Sequence, residues 1–105
     1  MPRYAFRLRV KEEAIERYEL EHTRVWPELL NRLKELGVSD YSIFRRGQEL
    51  ILVLRVEDFE ATWSQLEKDP VNQRWQTFMA PFFEPMEHIE PGERFPMFRE
   101  IFHLE

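Results

Sequence analysis

Cysteine is absent from the 105 residues, so no disulfide, thiolate metal ligand or redox thiol contributes to stability or chemistry. Glycine is scarce, with three in the chain and none in a phosphate-cradling cluster, which leaves a nucleotide cofactor without the loop it needs. No His-Glu-x-x-His segment occurs. Glu19-x-x-His22 has the spacing of carboxylate-bridged di-iron helices, but that arrangement requires a second such motif and further glutamates. Glu84-x-x-x-His88 is the nearest candidate and its spacing is wrong, so neither metal nor cofactor is expected. Eighteen apolar residues never follow one another, and no charged-then-apolar leader precedes the first strand pattern. The expectation is a cytoplasmic protein without a membrane partner. The formal net charge of −5 repels a phosphate backbone, and the local groups Arg3, Arg7, Arg9, Arg45 and Arg46 have acidic counterparts elsewhere in the chain. Nucleic acid is therefore not an expected partner either.

What the chain does contain suits one folded domain spanning 1–105. Hydrophobic residues make up 43% and aromatics 14%, enough for a single core, while 33% charged residues supply a polar exterior. Residues 3–10 alternate, with Tyr4, Phe6, Leu8 and Val10 on one side, which predicts a strand. From Lys11 the period lengthens to a helical one through Ala14, Ile15, Tyr18 and His22, and resumes through Leu29, Leu30, Leu33 and Leu36 to a stop at Gly37. Pro27 lacks an amide hydrogen, so the helix either kinks or restarts there. Residues 39–46 and 49–56 read as a strand pair joined at Arg46-Gly47-Gln48. Asp58 caps a helix carrying Phe59, Trp63 and Leu66, a spacing that marks Trp63 as core. Asp69-Pro70 opens another helix, with Val71, Trp75, Phe78, Met79 and Phe82 inward. Residues 84–97 hold three prolines and form an irregular loop around His88; a final strand over 97–104 includes His103.

This order predicts an α+β fold of the ferredoxin-like split βαβ type, an antiparallel sheet with helices on one face. The strand 49–56 is apolar on both sides, Leu50, Leu52, Leu54 and Val56 against Ile51 and Val53. Helices cover only one of those sets. A second copy of the chain is the simplest cover for the other, so a homodimer through the sheet faces is expected.

The segment Tyr18-x3-His22-x3-Trp26-Pro27-Glu28-Leu29 places a phenol, an imidazole and an indole at four-residue intervals. On a helix Tyr18 and His22 share a face, one turn apart. An aromatic stripe at this spacing commonly packs as core, yet its polar tips also suit a polyhydroxylated ligand, with rings on C–H surface and hydroxyl and N–H groups on sugar oxygens.

Together with Arg3-Tyr-Ala-Phe6, Tyr41-x-Ile43, Gln73-Arg74-Trp75 and the closing Glu100-Ile-Phe102, this segment resembles the L-rhamnose mutarotase family over nearly the whole length. The resemblance implies an isomerase that interconverts the α and β anomers of a deoxyhexose without a cofactor, and a homodimer arranged as a dimeric α/β barrel. It implies His22 as proton donor and Tyr18, Tyr41 and Trp75 as sugar-binding residues. Trp75 matches the first of two adjacent tryptophans in that family; the second position is Gln76, whose amide can bond a sugar hydroxyl but offers no flat apolar face, so Gln76 is expected to join the sugar-binding residues and to bear on which sugar is preferred. Mutarotation needs a donor for the ring oxygen and an acceptor for the anomeric proton, and histidine, with a reference pKa of about 6.5, suits the first role. A helix end near His22, with Glu19 and Glu21 beside it, is expected to favour the imidazolium. Two alternatives keep the fold and change the role: a dimeric cofactor-free monooxygenase, by analogy of fold alone, and a non-catalytic sugar-binding module.

Overall fold

The computed structural model describes residues 1–86 and 89–105. Among the described residues a four-stranded antiparallel sheet in the order β2-β3-β1-β4 carries four α-helices on one face. The elements are β1 (Arg3–Arg9), α1 (Ile15–Glu21), α2 (Pro27–Glu35), β2 (Ser39–Arg46), β3 (Glu49–Arg55), α3 (Phe59–Lys68), α4 (Pro70–Met79) and β4 (Met97–Phe98). This is the expected split βαβ order. The expectation for His88 lies outside the described residues.

The central ladder runs from Arg3↔Arg55 to Arg9↔Glu49 without interruption. Its alternation sends Phe6, Leu50, Leu52 and Leu54 under the helices, each no more than 4% exposed. Phe59 of α3 and Met79 of α4 close over them.

Short polar signals set the helix boundaries. Asp58 accepts a hydrogen bond from the Ala61 amide at 3.1 Å, and Asp69 accepts from the Val71 and Asn72 amides at 2.9 and 3.3 Å. The helix around Pro27 restarts rather than kinks. α1 ends at Glu21, and α2 begins with Pro27 in its first turn, where a missing amide hydrogen is harmless. Gly37, at φ +89°, then turns the chain so that the Val38 amide reaches the Leu33 carbonyl at 3.0 Å.

Two features differ from expectation. The final strand is two residues long, not eight: Met97 and Phe98 pair with Phe6 and Ala5. The register leaves Tyr4 and Arg3 of β1 opposite Arg99 and Glu100, but residues 99–105 continue without strand pairing. The other is an irregularity in β2. Its register with β3 shifts between Ser39 and Ser42, and Asp40 sits there at φ +47°.

Candidate functional site

The break between α1 and α2 places the imidazole. His22 is the residue that terminates α1, and its Nδ1 lies 2.7 Å from the Tyr18 carbonyl oxygen. A carbonyl only accepts, so Nδ1 carries a hydrogen and Nε2 is the nitrogen left for exchange. The ring packs on Tyr18 with centroids 4.1 Å apart and meets Trp75 edge-on at 5.7 Å. It lines a cavity of about 330 Å³, at the small end of the range for ligand pockets.

That cavity opens between α2, β2, α3 and α4. Leu29, Leu33 and Ile43 give it apolar walls, and His22, Tyr41, Asn72 and Gln76 bring polar tips to it. Trp75 forms one wall, 6% exposed, and is braced from behind by Trp26 at 5.1 Å with ring planes at 84°. Among the described lining residues Asp40 is the only carboxylate, on the bulge that turns Tyr41 inward.

The sequence-derived candidates therefore separate slightly. His22, Tyr41, Trp75 and Gln76 share the cavity wall. Tyr18 does not line it; it lies buried beneath His22, edge-on to Phe83. Burial holds the Tyr18 phenol well above its usual range, and burial followed by the neighbouring Tyr18 does the same for Tyr41. Both phenols are thus neutral hydroxyls at physiological pH.

Glu19 and Glu21, expected to favour the imidazolium, are both engaged in ion pairs. Glu19 pairs with Arg45, and the buried Glu21 is gripped by Arg24 at 2.7 Å and Arg17 at 3.1 Å. The Arg24 hydrogen bond, with Arg17 second, holds the Glu21 carboxyl below its usual range. Each of these two carboxylates is therefore answered by a guanidinium.

Trp63 and Asn72 are among the wall residues that escaped the sequence reading. Trp63, expected only as core, stacks on Phe59 at 4.4 Å and also faces the cavity. Asn72 is 9% exposed and lines the wall. Its signal was a carboxamide between Val71 and Trp75 on the apolar side of a helix, where an unpaired polar group is costly.

A small α+β domain with an imidazole in the wall of an aromatic-lined, ligand-sized cavity defines a protein built to bind and handle a small polar molecule. A family model described as L-rhamnose mutarotase matches residues 3–104. The L-rhamnose mutarotase of Sinorhizobium fredii is 37% identical, the match covering 99% of both chains. That of Oceanobacillus iheyensis is 31% identical over 100% of both. The crystal structure of L-rhamnose mutarotase from Formosa agariphila superposes with a TM-score of 0.79 at 27% identity, covering 100% of both chains. The chain belongs to the L-rhamnose mutarotase family, whose members are isomerases acting on carbohydrates. Tetracenomycin F2 cyclase from Streptomyces glaucescens, at TM-score 0.66 and 16% identity, shares the fold alone. These relatives favour the mutarotase reading over a monooxygenase or a non-catalytic sugar-binding module.

Proposed function

We propose that this protein interconverts the α and β anomers of L-rhamnose or a closely related aldose at the cavity beside His22. The observation that carries the reading is the tethered imidazole: Nδ1 is committed to the Tyr18 carbonyl, and Nε2 is the exchanging nitrogen of a ring in the cavity wall. In its protonated form His22 delivers the Nε2 proton to the ring oxygen as the C1–O5 bond breaks. The anomeric hydroxyl loses its proton and C1 becomes an aldehyde carbon. Rotation about C1–C2 offers the other carbonyl face, and reversal of both proton transfers closes the ring.

The remaining groups bind and orient. Tyr41 presents a neutral phenol to sugar oxygens, and Trp75 offers its indole to the C–H surface. Tyr18 supports His22 from below through its carbonyl and its ring. Since both phenols hold their protons, neither serves as the base. The anomeric proton leaves to solvent at the mouth, where Asp40 supplies the carboxylate of the rim. Saturation-transfer NMR with L-rhamnose tests this: protein is expected to speed transfer between the two anomeric proton signals. Transfer no faster than in buffer sinks the assignment.

The working unit is a cytoplasmic homodimer joined through the uncovered sheet faces. On that face Phe44 is 61% and Phe98 47% exposed, beside the half-buried Ile51 and Val53. The tail adds Ile101, Phe102 and Leu104, each at least 78% exposed. Contiguous apolar surface of this kind marks an interface. Val53→Glu is expected to shift the mass in sedimentation or light scattering from two chains to one; native protein with the mass of one chain refutes the dimer.

A further inference from the structure

The irregularity in β2 aims a carboxylate. From Ser39 to Ser42 this strand advances one residue more than β3 does from Arg55 to Val53, so Asp40 and Tyr41 share the place opposite Leu54. Leu54 is fully buried beneath the helices. In an unbroken ladder alternation sends one of two consecutive side chains to the open face, whereas here both residues line the cavity. Asp40 holds φ +47°, the one positive φ outside glycine among the described residues, and backbone of this kind gathers at functional sites. Its carboxylate lies mostly exposed at the mouth, with the Arg55 Nη1 3.6 Å from Oδ2, which leaves it able to accept from a ligand hydroxyl. The other titratable groups of the described wall are His22, Lys34 and Tyr41. His22 is the donor, Lys34 carries donors only, and the Tyr41 phenol keeps its proton.

We propose that Asp40 is the general base of the reaction, accepting the proton of the anomeric hydroxyl while His22 protonates the ring oxygen. The inference rests on the mutarotase reading of this cavity and deepens it by naming the first acceptor of the proton given up at the mouth. Asp40 takes the proton from O1, and the electron pair of that O–H bond becomes the second C1–O1 bond. The C1–O5 pair moves to O5, which takes the Nε2 proton of His22. Asp40 then stands as a carboxylic acid and His22 as a neutral imidazole. After rotation about C1–C2, O5 attacks the carbonyl carbon and returns its proton to Nε2, while Asp40 reprotonates O1. No proton is gained or lost over the cycle, so both groups are ready for the next turnover.

Asp40→Asn keeps the shape of the side chain and tolerates the left-handed backbone. The long ion pair to Arg55 joins two exposed side chains and contributes little, so the variant folds. Exchange of L-rhamnose anomers is measured by saturation transfer across pH, with the buffer rate subtracted. Native kcat/KM is expected to fall on the acid side, as the base takes up a proton, and on the alkaline side, as the donor loses one. Asp40→Asn is expected to lose the acid-side fall and at least about ten-fold in kcat, with KM moving less than about three-fold. That loss is at the low side for a positioned base because solvent also reaches the mouth. Asp40→Gly suits the same backbone and leaves a gap, and added formate is expected to restore its rate while leaving native protein unchanged. Folded Asp40→Asn within about three-fold of native kcat, or Asp40→Gly indifferent to formate, overturns the inference and leaves mutarotation at His22 standing. Native protein that speeds no exchange removes the mutarotase reading itself.

Discussion

Replacing His22 separates a positioned acid from a packing residue. His22→Ala removes one hydrogen bond to the Tyr18 carbonyl and two ring contacts, at 4.1 Å to Tyr18 and 5.7 Å to Trp75. The hydrogen bond contributes about 1 kcal/mol and each aromatic contact about 0.5 to 1 kcal/mol, so the variant loses roughly 2 to 3 kcal/mol. Domains of this size have about 5 to 15 kcal/mol in hand, and the variant stays folded. The chemical loss is larger in effect. A positioned proton donor is worth about 10² to 10⁴ in rate, or roughly 3 to 5 kcal/mol of barrier. His22→Asn refines the test, because its Nδ2–H can take over the bond to the Tyr18 carbonyl while supplying no acid. Saturation transfer between the anomeric signals of L-rhamnose is the assay, with thermal melts to count folded protein. Both variants are expected to lose at least about one hundred-fold in exchange rate, with His22→Asn the more stable. A folded His22→Asn protein within ten-fold of native activity refutes the argument.

Other outcomes follow from the same geometry. The raised pKa values of Tyr18 and Tyr41 favour the neutral phenol in the folded state, so their contribution is complete below the unfolded pKa of about 10 and is lost as pH climbs beyond it. Melting temperature is expected to fall above about pH 10, more steeply than in Tyr41→Phe; equal slopes contradict the burial of that phenol. Asp69→Ala strips the cap from two amides of α4 and the partner from Arg32, and is expected to cost about 1 to 2 kcal/mol in urea unfolding. A loss under about 0.3 kcal/mol shows that the first turn of α4 is held by other means.

Local chemistry made most of the architecture readable. Asp58, Asp69-Pro70 and Pro27 act on their own turns, so the boundaries they dictate needed no knowledge of the rest of the chain. Strict alternation through Phe6 and Leu52 fixed which sheet face goes inward. What escaped depends on distant partners. β4 pairs only at Met97 and Phe98, and no property of residues 99–104 signals that limit. Glu19 looked like free charge near His22, yet its partner Arg45 is 26 residues away, and sequence distance hides the pairing; Glu21, by contrast, pairs with Arg17 and Arg24 at ordinary helical spacing. Tyr18 shares a helix face with His22 as expected, but that face turns into the core one turn before it reaches the cavity. Asn72 was readable in principle: an amide on an apolar helix side must bond to something, and here it bonds to Leu66 and Gln76.

The gap between α1 and α2 has a consequence for motion. His22 occupies a terminus rather than the interior of a rod, and the backbone from Thr23 to Trp26 follows no regular ladder. Amide hydrogens there are set to swap with deuterium early, while those of the β1–β3 ladder are protected longest. The segment that carries His22 into the cavity wall is thus expected to open locally at lower cost than the sheet beneath.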